Sequence, residues 1–64
     1  MVSDLDIYRA ANLLIKRHGD NAELEAARHI DRLLDHGDRD GQFVWFRIKR
    51  AISVLQAPAD GPPH

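Results

Sequence analysis

Apolar residues recur every three or four positions along most of this chain. Three stretches show this spacing, which is that of one face of an α-helix, and polar residues occupy the positions between. The apolar side of each is made of Ile7, Tyr8, Ala11, Leu14 and Ile15; of Ala22, Ala26, Ala27, Ile30, Leu33 and Leu34; and of Val44, Trp45, Ile48, Ala51, Ile52 and Leu55. No alternation of period two lasts long enough to predict a strand. The pattern therefore predicts an all-α domain of three helices, near residues 4–18, 21–36 and 40–56.

A repeated His-Gly-Asp tripeptide, at residues 18–20 and 36–38, marks the two turns between these helices. Histidine suits a helix C-terminus, glycine suits the residue just beyond it, and aspartate suits the start of the next helix. Asp20, with Glu23 three residues later, resembles a capping box. Either Asp38 or Asp40 is expected to cap the third helix, and Ser3 the first.

The length of the chain, 64 residues, allows one domain, which we expect to span residues 1–57. Residues 58–64, rich in proline and glycine, are expected to form a flexible tail. A domain this small is marginally stable alone and usually needs disulfides, a metal, association or very good helix packing. The chain has no cysteine, so disulfides are excluded and association becomes a serious candidate.

Several large apolar residues fall outside the three predicted core faces. Leu13 lies on the polar side of the first helix, Phe43 and Val54 lie beyond one edge of the third, and Phe46 projects almost opposite its core face. Two helices cannot cover every side of a third, so we expect another chain to bury these side chains. The predicted interface comprises Leu13, Phe43, Phe46 and Val54, with Tyr8 and Trp45 at the margin between core and interface. The expected function is protein–protein interaction, as a homodimer or as an adaptor for a larger bacterial protein.

The balance of charge bears on a second possibility, a nucleic-acid-binding protein of the helix-turn-helix kind. Arg47, Lys49 and Arg50 decorate the third helix, behind a tight glycine turn. However, Asp38 and Asp40 occupy the start of that helix, where a recognition helix meets phosphates. The chain has nine Lys and Arg against ten Asp and Glu, a formal net charge of −1. Nucleic-acid binding is therefore the alternative rather than the first expectation.

Residues for catalysis or metal binding are scarce in this sequence. Ser3 and Ser53 are the only serines, and no threonine occurs. The acidic residues fall on solvent faces or at helix starts, where solvation and capping explain them. The histidines, His18, His29, His36 and His64, lack the spacing of a zinc site. A calcium loop aligned on Asp40-Gly41 fails because Arg47 takes the position of the bidentate glutamate. We expect no enzymatic activity, no cofactor, no metal and no small-molecule substrate.

Signals for a membrane or for secretion are also lacking. No stretch of 18 apolar residues occurs, and the first residues do not form a basic segment followed by an apolar one. With the lack of cysteine, this favours a cytoplasmic protein.

Several short motifs of this chain are informative as a set. They are Asp6-Ile7-Tyr8-Arg9-Ala10-Ala11, Lys16-Arg17-His18-Gly19-Asp20, Ala26-Ala27, His36-Gly37-Asp38, Gly41-x-x-x-Trp45 and Arg47-Ile48. Taken together they resemble a family of short α-proteobacterial proteins without an assigned activity. The resemblance covers residues 4–56 and implies an all-helical fold, but it carries no catalytic residue, cofactor or partner.

Overall fold

The structure is a computed structural model that describes residues 2–57. Helix α1 spans Asp4–His18, a single 3-10 turn spans Gly19–Asn21, α2 spans Ala22–Asp35 and α3 spans Arg39–Gln56. The described range contains no strand, so the all-α prediction is confirmed. Because α1, the 3-10 turn and α2 follow one another without a non-helical residue, the described range counts as two continuous helical segments. Between α1 and α2, the 3-10 turn begins at Gly19, which has a positive φ.

The start of α1 is as predicted, but the start of α2 is not. The Ser3 side chain accepts a hydrogen bond from the Asp6 amide at 3.2 Å and so caps α1. The predicted cap at Asp20 is wrong, because Asp20 lies inside the 3-10 turn and Asn21 occupies the N-cap position without a side-chain bond. Gly19 has φ 56° and ψ −125°, and its carbonyl accepts the Ala22 amide. The chain thus enters α2 through a backbone hydrogen bond instead of an aspartate cap.

The turn between α2 and α3 is closed by backbone hydrogen bonds around Gly37. This glycine has φ 72°; its amide donates to the Leu34 carbonyl at 3.0 Å, and the Asp38 amide donates to the Leu33 carbonyl at 2.9 Å. The two bonds are those of a Schellman motif. Of the two predicted caps for α3, Asp38 is the one observed, because its carboxylate accepts the Gly41 amide at 2.9 Å.

The core is built from small and β-branched residues only. Its buried members are Ile7, Ala11, Ala22, Ala26, Ile30, Ile48, Ala51 and Ile52. Among residues 2–57, Ile52 is the only large side chain that is fully buried. The alanines of α1 and α2 leave room for close approach of the helices, and Leu14, Ile15, Val44 and Trp45 are partly buried against this core. Every helix therefore contributes to a single core.

Some residues assigned to the core faces are exposed. Leu34 is 61% exposed and Leu55 is 43% exposed, although both lie on the predicted apolar stripes. Each belongs to the last turn of its helix, where the neighbouring helices do not cover it. His18, the last residue of α1, is exposed for the same reason. The predicted tail, 58–64, lies outside the described residues.

Candidate interaction surface

One stripe of α3 faces away from the core and carries Asp40, Phe43, Arg47, Arg50 and Val54. These residues follow one another at alternating intervals of three and four, which places them in one row along a helix. Two adjoining surface grooves support this grouping. One, of about 560 Å³, is lined by Val2, Asp40, Phe43, Val44 and Arg47. The other, of about 340 Å³, is lined by Asp4, Ile7, Tyr8, Arg47, Arg50, Ala51 and Val54. Arg47 belongs to both grooves and makes the surface continuous.

The two phenylalanines of the chain lie side by side on this surface. Phe43 is 66% exposed and Phe46 is 54% exposed. Phe46 follows Phe43 by three residues and precedes Arg50 by four, so it borders the stripe on the side away from α1. Tyr8 of α1, also exposed, borders it on the opposite side. We name this surface the α1–α3 face; it comprises Tyr8, Asp40, Phe43, Phe46, Arg47, Arg50 and Val54.

The structure places the other two predicted interface residues elsewhere. Leu13 and Trp45 line a separate groove of about 350 Å³, together with Ala10, Leu14, Arg17, His18 and His29. The Trp45 ring stacks on the His29 ring, with centroids 4.1 Å apart and planes 12° from parallel. The six predicted residues are therefore divided between two surfaces, with Tyr8, Phe43, Phe46 and Val54 on the α1–α3 face.

The His29–Trp45 stack was not foreseen from the sequence. Each residue lies on its own helix without a spacing that links it to the other, because the contact depends on how α2 packs against α3. The His29 ring covers one side of the half-buried Trp45 indole, so less of the indole is open to a partner.

Ion pairs link α3 to both of its neighbours. Arg47 binds the Asp4 carboxylate of α1 and also donates to the Val2 carbonyl at 3.3 Å. Lys49 lies 3.7 Å from the Glu23 carboxylate of α2. By charge alone, Arg47 could also pair with an acid of α2. It pairs with α1 instead, because Arg47 lies on the opposite side of α3 from Lys49, which faces α2. Within residues 2–57, Arg39 makes no ion pair.

The charges that remain on the α1–α3 face are those of Asp40 and Arg50. In the described part of the chain, neither has an oppositely charged partner within 4.0 Å. They lie at opposite ends of the phenylalanine pair along α3. The face is therefore apolar in the middle, acidic at the N-terminal end of α3 and basic further along.

The described residues show no arrangement that points to chemistry in the interior. No buried residue among them is polar, and none of their buried side-chain nitrogen or oxygen atoms lacks a hydrogen-bond partner. No group of three or more His, Asp or Glu within that range could hold a metal ion. Nor does any of its helices combine the length and apolar character that crossing a membrane requires. The features that stand out are on the surface.

Comparisons with protein-family models, with curated proteins and with solved structures found no match. The resemblance to short α-proteobacterial proteins stays a prediction.

Proposed function

We propose that this chain is a three-helix protein–protein interaction module that binds its partner through the α1–α3 face. The observation that carries the proposal is the contrast between a core made only of alanine and isoleucine and a surface that holds both phenylalanines. Folded proteins usually place aromatic side chains in the core. Adjacent exposed aromatics on a helix are typical of a surface that a partner covers.

The composition of the α1–α3 face also favours a protein partner. Aromatic residues and arginine are enriched in protein–protein interfaces relative to the rest of the surface, and this face combines Tyr8, Phe43 and Phe46 with two arginines. Burying one such aromatic side chain contributes about 1.5–3 kcal/mol. Two or three of them are enough to offset part of the entropy lost on association.

The shape of the face favours a helix as the element that binds. The stripe of α3 and the neighbouring side of α1 form an elongated surface, with residues presented at helical spacing. Surfaces of this kind take the apolar side of an amphipathic helix. That helix belongs either to a second copy or to a larger bacterial protein.

Nucleic-acid binding has weaker support. Arg47 is already matched by Asp4, and Lys49 lies near Glu23. The remaining cation of the face, Arg50, shares it with Asp40 and two phenylalanines, which a phosphate backbone would not favour. Our proposal involves no catalysis and no cofactor, and the lack of cysteine is consistent with a cytoplasmic location.

Photo-crosslinking in the host cell tests the proposal. A photoreactive phenylalanine analogue is incorporated in place of Phe43 or, as a matched control, in place of Leu24, which is 52% exposed on α2. We expect position 43 to give a discrete crosslinked product, with either a second copy or another protein. We expect none from position 24. Equal adducts from both positions, or none from either, would show that the α1–α3 face is not a binding surface.

A further inference from the structure

We infer that the partner of the α1–α3 face is a second copy of this chain, with the two α3 helices antiparallel across a twofold axis and Asp40 of each opposite the partner's Arg50. This inference rests on the proposed function, because it names the occupant of the same face. The argument depends on the order of charged and apolar residues along the stripe.

The direction of the second helix follows from that order. Along α3 the stripe begins with an acid, Asp40, continues with Phe43, and then carries Arg47 and Arg50. A parallel copy would place each arginine against its own equivalent, which is unfavourable for like charges. An antiparallel copy places the acidic end of one stripe against the basic end of the other. Since a twofold axis makes every contact twice, this complementarity is doubled.

The spacing of the stripe brings all the favourable contacts into one register. Asp40 and Arg50 are equally far from the midpoint between them, and so are Phe43 and Arg47. A twofold axis at that midpoint therefore pairs Asp40 with the partner's Arg50 and Phe43 with the partner's Arg47. An arginine over an aromatic ring is a favourable contact. Phe46 lies one residue from the midpoint, so the two copies of it meet beside the axis and exclude water there.

The competing register, displaced by one heptad, has the opposite electrostatic result. It places Phe43 against the partner's Val54, but it brings Arg47 against the partner's Arg50 on both sides of the axis. Four arginines would then gather at the centre, and Asp40 would be left without a partner. The charges therefore select the register that pairs Asp40 with Arg50.

The contacts already made within one chain leave the required groups available. Arg47 is held by Asp4 and by the Val2 carbonyl, so its guanidinium is fixed beside the stripe. Asp40 and Arg50 are both exposed, and neither has an ion-pair partner within residues 2–57. The two charges that the second copy needs are thus both left without an ion pair by the described fold.

Charge reversal followed by mixing tests this register. In a homodimer of Asp40→Arg, both pairs between positions 40 and 50 consist of two arginines. In a homodimer of Arg50→Asp, both pairs consist of two aspartates. We expect each variant alone to dimerise at least tenfold more weakly than the natural chain in sedimentation equilibrium. Mixed one to one, they should form a heterodimer, since positions 40 and 50 are then both basic in one variant and both acidic in the other.

The matched control reverses charges outside the face. Arg9→Asp and Asp31→Arg alter exposed residues of α1 and α2 and should leave the dimer unchanged, alone or mixed. A second measurement avoids charge altogether: Asp40→Cys/Arg50→Cys should give a disulfide-linked dimer on oxidation, whereas each single variant should not. Positions 40 and 50 of one helix are about 15 Å apart, too far for a disulfide within the chain.

Three outcomes would overturn the inference. One is equal dimerisation of the natural chain and both reversed variants. Another is no recovery on mixing together with no disulfide-linked dimer from the double cysteine variant. The third is a monomeric natural chain whose position 43 crosslinks to a different protein, and in that case the proposed interaction function stands while the self-association is wrong.

Discussion

At the scale of single residues, Ile52 offers the most direct test of the core. It is the largest fully buried side chain among residues 2–57, and it lies in a core otherwise made of alanine and other isoleucines. We expect Ile52→Ala to lower the free energy of unfolding by about 2–5 kcal/mol, because it removes buried methyl groups and leaves a cavity.

The control for this change is Leu34→Ala, which deletes a side chain of similar size that is mostly exposed. Urea denaturation should show a loss of about 0.5 kcal/mol or less for Leu34→Ala. Comparable losses for the two variants would contradict the burial that the structure gives to Ile52.

Gly41 is a position at which an added side chain would have too little room. A Cβ at this position would lie 2.6 Å from the Asp38 Oδ2 atom and 3.1 Å from Leu33 Cδ2. We therefore expect Gly41→Ala to destabilise the protein, although alanine is intrinsically better than glycine inside a helix by about 1 kcal/mol. The added methyl displaces the Asp38 carboxylate from the Gly41 amide and so removes the cap of α3.

A double-mutant cycle isolates this effect from helix propensity. In an Asp38→Ala background the carboxylate is absent, and Gly41→Ala should then raise the thermal midpoint instead of lowering it. If Gly41→Ala has the same effect in both backgrounds, the contact with Asp38 does not explain the glycine.

The residues that the sequence predicted well are those whose role is local. Ser3 and Asp38 act on amides three residues away, so their part in capping is readable from neighbouring positions. The exposure of Leu34 and Leu55 was not readable in this way. Helical spacing tells which side of a helix a residue occupies, but it does not tell where the covering helix ends.

At the scale of helices, the boundaries were predictable because glycine leaves few alternatives where φ is positive. Gly19 and Gly37 both have positive φ, and α1 and α2 end beside them as expected. The sequence did not predict the 3-10 turn at Gly19–Asn21, because the spacing of Asp20 and Glu23 matches that of a capping box. The observed backbone of Gly19, with ψ −125°, leads into the 3-10 turn instead of a capped helix start.

The contact between α1 and α3 through Asp4 and Arg47 leads to a further prediction. Asp4→Asn weakens the pairing with Arg47, so the first turn of α1 should open more often, and the Ile7 amide, bonded to the Ser3 carbonyl at 3.0 Å, should exchange faster with solvent. The effect on global stability should stay below about 1 kcal/mol, because the Asp4 side chain is 87% exposed.

Asp6→Asn is the matched control for Asp4→Asn. Both acids belong to the first turn of α1 and interact alike with the helix dipole, but only Asp4 binds Arg47. Hydrogen exchange should therefore distinguish the two variants at low salt and less so near 1 M salt, where the screening length falls to about 3 Å. Equal exchange at the Ile7 amide in both would show that the ion pair does not hold this turn.

At the scale of the whole molecule, the sequence identified Leu13, Phe43, Phe46 and Val54 as exposed, but not how the exposed apolar residues are grouped. Phe43, Phe46 and Val54 could be placed together on α3 by their spacing. That Tyr8 belongs with them, and that Leu13 belongs with Trp45 and His29 instead, depends on the packing of α1 against the other two helices. Such packing joins residues far apart in the chain, and no local pattern encodes it.

The last prediction concerns how the thermal midpoint depends on protein concentration, because a chain with so small a core is expected to gain stability from association. If the α1–α3 face is buried between two copies, folding and dimerisation are linked by mass action, and the thermal midpoint must rise with protein concentration. For a domain of this size we expect a rise of roughly 3–6 °C for each tenfold increase in concentration.

Removing the two phenylalanines should abolish that dependence. Phe43→Ser/Phe46→Ser is expected to melt at a lower temperature that is independent of concentration, since the monomer loses its partner but keeps its alanine and isoleucine core. Leu5→Ser/Leu24→Ser removes two exposed leucines from outside the α1–α3 face and should retain the slope of the natural chain. A natural chain whose midpoint is constant over about a hundredfold range of concentration folds without a second copy, and its exposed phenylalanines then need a different partner.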